Sequence, residues 1–149
     1  MSNLTLWNKV KTSDPKYLKP VNFGARKFTA IDPQYQIRSA TDAFGPVGEG
    51  WGWESETRFI NLSNGDTAVI CDVSVWHGKK ENKFGPFPGC RKFFDSEKKR
   101  IAEDAPKMAV TDGLTKALSH LGFNADVFLG EHDGSKYVAD SGKPSQGGW

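Results

Sequence analysis

Apolar residues recur at helical spacing between Asp104 and Gly122, with polar residues on the remaining faces. Asp104 is a residue type that caps helices, Pro106 suits a first turn, and Gly122 is placed to end the segment. The pattern therefore predicts one long amphipathic helix. Gly113 lies inside it, although an interior glycine costs about 1 kcal/mol relative to alanine. A close approach of another backbone would explain that glycine.

Alternation with a period of two predicts antiparallel strands upstream of this helix. The first strand covers 51–62 and the second covers 67–76, with the Asn-Gly hairpin turn of 63–66 between them. In the second strand, one face consists of Val69, Cys71, Val73 and Val75.

A third strand is expected near 81–87. Pro86 and Pro88 cannot donate ladder hydrogen bonds and favour an edge position there. We expect some helical character in 93–103, the link to the long helix.

The flanking segments are shorter. A helix is predicted over 34–44, ended by Gly45-Pro46. Residues 1–33 are predicted to be an irregular but ordered arm, and 126–130 and 135–138 to add short segments. The predicted fold class is α+β: a short helix, a three-stranded antiparallel β-meander, and a long helix packed on the sheet. We expect one domain over 1–140 and a flexible tail over 141–149.

Composition excludes several classes of protein. The 149 residues contain no apolar run near the ~20 needed for a membrane helix, and the N-terminus lacks the apolar core of a signal peptide. We therefore expect a soluble, cytoplasmic protein with no membrane partner. Cys71 and Cys90 form no Cys-x-x-Cys pair, and three histidines complete no zinc pattern. No metal or cofactor is expected.

The charge is unevenly distributed. The net charge is only +2, but residues 1–30 carry six basic side chains against Asp14 alone, a local balance of +5. Residues 79–100 carry eight against three acidic ones, again +5. Two basic blocks in a nearly neutral chain favour a polyanionic partner, and nucleic acid is the obvious candidate. A pair of solvated loops explains the charges equally well.

Several short strings resemble one protein family. The string Ala109–Leu118 (AVTDGLTKAL), followed by Gly122, is similar to the signature helix of the Rad-fifty-two superfamily of single-strand annealing recombination proteins. The strings 40–45 (ATDAFG) and 50–53 (GWGW) resemble that family's helix ending in Phe-Gly and its Gly-Trp strand start. The opening string LWNK at 6–9 and the string ADVFLG at 125–130, after the helix, resemble the compact, phage-encoded branch.

The resemblance implies a function. It implies binding of single-stranded DNA and annealing of complementary strands in recombination, by a homo-oligomeric ring or filament without nucleotide hydrolysis, cofactor or catalysis, in a bacterial host cell. A recombination exonuclease and a host single-strand binding protein are candidate partners. Annealing requires the phosphates to be neutralised while the base edges stay open for pairing. Lysine and arginine side chains can neutralise the phosphates without covering the bases.

The resemblance also implies where DNA binds. The family's groove follows the signature helix, where two basic residues usually come after Asp-Gly-Leu; here Thr115 replaces one and Lys116 remains, and Ser119 stands at a further basic position. We expect the basic run just before the helix to compensate, Arg38 to line the opposite wall, and the hairpin lysines to make an outer contact. The candidate DNA-binding residues are Lys116, Arg100, Lys99, Lys98, Lys92, Arg91, Arg38, Lys79, Lys80 and Lys83.

Two other functions stay open. A plain single-stranded nucleic-acid-binding module, for RNA or DNA, would share the basic groove without accelerating pairing. An enzyme could use Asp112, His120, Asp126, His132 and Asp133, but no motif with a known mechanism fixes their spacing.

Overall fold

The computed structural model describes residues 2–131, which divide into two compact units. One unit consists of the chain before residue 44 together with the chain after residue 118, and the other consists of residues 44–118. The elements in chain order are α1 (Thr5–Val10), a 3₁₀ turn (Pro15–Tyr17), β1 (Leu18–Phe23), β2 (Arg26–Ile31), α2 (Pro33–Phe44), β3 (Trp51–Asn61), β4 (Thr67–His77), β5 (Lys83–Asp95), β6 (Arg100–Ile101), α3 (Ala105–Ser119) and α4 (Ala125–Phe128).

The 44–118 unit is a four-stranded antiparallel sheet in the order β3-β4-β5-β6. The predicted strands over 51–62 and 67–76 are confirmed as β3 and β4, joined by the Asn-Gly turn. The predicted common face of Val69, Cys71, Val73 and Val75 is the inner face of β4, since all four are fully buried. Val69 and Cys71 pack with Ala105 and Ala109 of α3, so the long helix lies on this face.

The prediction of a three-stranded meander is wrong. β5 is thirteen residues long and continues through Pro86 and Pro88, and a fourth strand, β6, pairs with its end. Both prolines are tolerated because β6 pairs only with Phe94 and Asp95, so that most of the outer edge of β5 has no partner strand among residues 2–131.

The predicted helical character of 93–103 is wrong too. Phe93 is held in the extended chain because it packs against the cluster under α3. The chain then turns and returns as β6.

The other unit contains the N-terminal segment. The predicted helix over 34–44 is confirmed as α2, but the expectation of an irregular arm over 1–33 is wrong, since β1 and β2 form a hairpin. The hairpin was not predicted because Pro20 lies within β1. Proline is tolerated there because β1 and β2 form a two-stranded sheet within residues 2–131, so that both strands are edges.

A buried polar network holds this unit together. Asp126 accepts hydrogen bonds from the backbone N–H of Ser13 at 2.7 Å and from its hydroxyl at 2.6 Å. Asn124 donates to the same hydroxyl at 2.6 Å and accepts from Gln36 at 3.2 Å. Four buried side chains from three distant parts of the sequence therefore satisfy one another.

The helices end near their predicted limits. α3 is confirmed as the long helix and ends at Ser119; Gly122 follows with φ +106°, a conformation that favours glycine. α4 occupies the expected segment near 126–130, whereas the expectations for 135–138 and for the tail 141–149 lie outside the described residues. Among the helices of residues 2–131, none is both long and apolar enough to cross a membrane.

Candidate nucleic-acid interface

Two glycines set the distance between α3 and the sheet. A Cβ on Gly113 would lie 2.7 Å from Val73 Cγ2 and 2.8 Å from the Phe87 carbonyl oxygen. A Cβ on Gly89 of β5 would overlap the carbonyl oxygen of Ala109 and lie 2.7 Å from the Gly113 nitrogen. The glycine inside the helix thus permits a close backbone approach, as the sequence predicted.

This close approach brings a carboxylate and two cations together beside the helix. Asp112 Oδ2 lies 3.4 Å from Nη1 of Arg91 and 3.7 Å from Nζ of Lys116, one turn further along α3. Lys116 also donates to the carbonyl oxygen of Pro88 at 3.4 Å. Arg91 of the basic run therefore lies beside the helix, close to Lys116.

The electrostatic balance of this cluster is modest. Arg91 and Lys116 supply two positive charges and Asp112 removes one of them. The Asp112 side chain is only 14% exposed, whereas those of Arg91 and Lys116 are 40% and 28% exposed. The carboxylate therefore lies beneath the two cations and holds them side by side, leaving a net charge of +1 facing solvent.

A second basic group lies on the turn between β5 and β6. Lys98, Lys99 and Arg100 are all exposed, and none of them forms an ion pair within residues 2–131. Lys99 has φ +50°, so the turn has a defined, left-handed backbone at its centre. These three side chains form a group of accessible cations that are adjacent in the sequence.

Two aspartates fix this basic turn. Asp95 Oδ1 accepts the backbone N–H groups of Glu97 and Lys98, each at 3.0 Å. The bond from Lys98 is the main reason that the pKa of Asp95 is lowered. The turn is therefore capped at its beginning by the last residue of β5.

The second aspartate, Asp66, comes from the hairpin between β3 and β4. It is 5% exposed, and its Oδ1 accepts from the backbone N–H and the hydroxyl of Ser96, both at 2.8 Å. These bonds, backbone N–H first, lower the pKa of Asp66 to about 2, with Lys92 and Asn64 adding to the effect. Asp66 thereby ties two turns together and positions the basic residues that follow Ser96.

Lys92 contacts different carboxylates from its neighbour Arg91. It projects from the opposite face of β5 and lies 3.3 Å from Asp66 and 3.5 Å from Asp95. The hydrogen bond to Asp66 and the charges of both carboxylates raise its pKa. Lys92 therefore neutralises buried and half-buried carboxylates of its own fold, and it is separated from the Arg91–Lys116 pair by the strand itself.

The hairpin lysines lie at the other end of the sheet. β4 runs eleven residues from the β5–β6 turn to the β4–β5 hairpin, which at ~3.3 Å per residue is roughly 35 Å. Lys83 pairs with Glu54 at 3.0 Å, and Lys80 lies 6.0 Å from the centre of the Trp76 ring. Lys79 is exposed and forms no ion pair within the described chain.

Arg38 belongs to the other unit. Its Nη1 donates to the Tyr17 hydroxyl at 3.1 Å, and its guanidinium lies 5.8 Å from the centre of the same ring. Tyr17 is stacked on Tyr35 with ring centres 4.4 Å apart, and Lys16 lies 5.2 Å from the Tyr17 ring centre. Arg38 thus has a local aromatic partner that the sequence analysis did not anticipate.

The residues considered for an enzyme have structural contacts where the structure describes them. Asp126 lies in the buried network with Ser13, and Asp112 holds Arg91 and Lys116. His132 and Asp133 lie outside the described residues. Within residues 2–131, no group of three or more histidine, cysteine, aspartate or glutamate side chains could hold a metal ion.

Sequence reasoning missed Asp66, Ser96 and Gly89. Asp66 appeared only as a turn residue, because its contact with Ser96 spans thirty positions of sequence. Gly89 had a detectable signal, since a glycine within a strand often marks a close approach of another backbone. A scan of the sequence against protein-family models found no match, and a search among curated proteins found no similar sequence.

Proposed function

We propose that this protein binds single-stranded DNA through its phosphates and promotes annealing of complementary strands, without nucleotide hydrolysis and as an oligomeric ring or filament. The observation that carries the proposal is the basic turn. Lys98, Lys99 and Arg100 are exposed, form no ion pair within residues 2–131, and follow a turn that two aspartates hold in place. Cations held in this way neutralise phosphates without covering base edges, as annealing requires.

The Arg91–Lys116 pair supports the same function. β5 places Arg91 four residues before Asp95, which corresponds to roughly 13 Å of extended strand. A single strand that contacts the basic turn would therefore meet a second cationic point in the same unit. Asp112 keeps this second point weakly charged, which favours exchange of strands over tight retention.

The resemblance to the single-strand annealing family adds independent support. The string 109–118 carries that resemblance, and its Asp-Gly pair has a physical role in this fold: Gly113 permits the close approach, and Asp112 arranges the cations. The sheet with α3 packed across it is the counterpart that we propose for the family's β-β-β-α core.

A strand-annealing assay tests the proposal. Two complementary labelled oligonucleotides are mixed with and without the protein, in the absence of ATP and divalent metal, across a salt series. We expect pairing to be accelerated at low salt and the acceleration to fade as salt displaces phosphate contacts. Binding without acceleration would identify a plain single-strand binding module, and the absence of both would refute the proposal.

A further inference from the structure

β3 presents a long strand edge without a partner in the described chain. Its ladder with β4 is closed at one end by a hydrogen bond from Gly78 N–H to Gly50 O at 2.9 Å, and at the other by Leu62 N–H to Asp66 O at 2.8 Å. Hydrogen bonding alternates along an antiparallel strand, and the register has no shift between these ends. Even-numbered residues of β3 therefore bond to β4, and odd-numbered residues direct their backbone N–H and C=O groups outward.

Most of this outward row is unpaired. Gly48 donates to the Trp51 carbonyl oxygen at 2.7 Å and so covers the first position. Beyond it, no residue between 2 and 131 bonds to the outward backbone groups of β3, and residues 54–59 are all exposed. The available outward positions are Trp53, Ser55, Thr57, Phe59 and Asn61.

The two edges of the sheet differ in the features that hinder pairing with another strand. On the β5 side, Pro86 and Pro88 remove two backbone donors, and β6 covers the end of the strand. β3, by contrast, is eleven residues long and has no proline or bulge. Natural sheets usually blunt an edge of this length with prolines, bulges or charges, and of these β3 carries only the charges of Glu54, Glu56 and Arg58. The order of these charges decides whether they repel or attract a second strand.

The sequence of β3 is complementary to itself. When two copies pair antiparallel about Glu56, Trp53 of each copy lies opposite Phe59 of the other, and Glu54 lies opposite Arg58. Each of these aromatic and opposite-charge pairs occurs twice. The two Glu56 side chains face each other, with an Arg58 diagonally adjacent to each.

This register also satisfies the backbone. Ser55 of one copy then lies opposite Thr57 of the other, so outward-directed residues meet outward-directed residues, as a hydrogen-bonded ladder requires. A register centred on Ser55 would place Glu54 opposite Glu56 twice. One centred on Thr57 would place Trp53 opposite Asn61 and Phe59 opposite Ser55, and so lose both aromatic pairs.

We propose that β3 pairs antiparallel with β3 of a second copy of this chain, centred on Glu56, to form a continuous eight-stranded sheet. Such a two-fold contact closes on itself, so a ring or filament would need a further, head-to-tail contact. The proposed pairing does not depend on DNA binding, and it is tested without nucleic acid.

A disulfide between two Glu56→Cys copies tests the register. Residues opposite each other at a non-hydrogen-bonded position have Cα atoms about 4.5 Å apart, within the range for a disulfide. In a Cys90→Ser background, which removes the exposed native thiol, Glu56→Cys should form a covalent dimer under mild oxidation. Glu54→Cys and Arg58→Cys should each stay monomeric alone and should cross-link when mixed.

Crosslinking of Glu56→Cys no faster than Glu54→Cys would overturn the proposed pairing. Ser55→Pro supplies a second readout, because it removes an outward donor and leaves the bonds to β4 intact. In sedimentation equilibrium we expect wild type to shift from monomer to dimer mass with concentration, and Ser55→Pro to need at least tenfold higher concentration. Identical association of wild type and Ser55→Pro would also overturn the proposed β3–β3 pairing. An annealing assay on Ser55→Pro reports separately on the proposed function.

Discussion

Replacing Gly89 by alanine should destabilise the 44–118 unit by forcing α3 away from the sheet. The new methyl group would overlap the Ala109 carbonyl oxygen and lie 2.7 Å from the Gly113 nitrogen and 2.9 Å from the Ala109 carbonyl carbon. All three are backbone atoms of the helix, so no side-chain rotation can relieve the contact.

The magnitude follows from two opposing effects. Overpacking a core costs about 1–3 kcal/mol, and contacts with backbone atoms belong at the upper end of that range. Alanine recovers about 0.5–1 kcal/mol because glycine is unfavourable within a strand. We therefore expect a net loss of about 2 kcal/mol, or a fall in melting temperature of about 4–8 °C for a chain of this size.

Urea unfolding followed by circular dichroism measures this change. Cys90→Ala is the matched control, since Cys90 is exposed on the other face of the same strand, and its effect should stay within about 0.5 kcal/mol. Gly113→Ala should also destabilise the protein, although alanine is the better helix former. If Gly89→Ala were as stable as wild type, the close approach of α3 to β5 that positions Asp112 and Lys116 would be refuted.

Three further predictions concern carboxylates. Because the pKa of Asp66 is lowered to about 2, its stabilising contribution should be complete above about pH 4 and lost as pH falls towards 2. Thermal melts over a pH series should show that Asp66→Asn removes this part of the loss of stability in acid. An unchanged pH dependence would contradict the role given to the Asp66 carboxylate. Asp112→Asn should strengthen the binding of single-stranded DNA several-fold, because it raises the net charge around Arg91 and Lys116 by one. Fluorescence anisotropy measures this change. Weaker binding would show that the arrangement of the two cations by Asp112 matters more than the net charge. Asp126→Ala should destabilise the protein by about 3 kcal/mol in thermal unfolding, since it leaves the backbone N–H and the hydroxyl of Ser13 buried without their acceptor; a loss below about 1 kcal/mol would contradict the role of the network.

Local patterns predicted the elements whose signals lie close together in the sequence. The β3–β4 hairpin has strict alternation on both sides of Asn64-Gly65, and both strands formed at the predicted positions. The long helix has apolar spacing and an end signal within twenty residues. The N-terminal hairpin escaped prediction because Pro20 lies inside β1, where it is tolerated because β1 is an edge strand.

The candidate site depends on contacts that sequence patterns do not report. The link from Asp66 to Ser96 and the approach of Gly89 to Ala109 both join residues at least twenty positions apart. As a result, the basic residues of 91–100 were predicted as one run, whereas the fold separates them. Arg91 lies beside α3 and Lys92 is neutralised on the opposite face of β5. Within this run, Lys98, Lys99 and Arg100 are the cations that form no ion pair with a residue between 2 and 131. Strand pleat and tertiary pairing decide which of several adjacent cations faces solvent.

The salt dependence of single-stranded DNA binding tests the central claim most directly. Each phosphate contact on a single strand contributes about 0.7 to the slope of log K against log salt concentration, so replacing Lys98, Lys99 and Arg100 together by glutamine should lower that slope by about 2. As a control, Lys107, which is exposed and lies outside both basic blocks, is replaced by glutamine and should change the slope by less than about 0.5. Equal slopes for wild type and the turn variant would contradict the account, because the phosphates would then be held elsewhere.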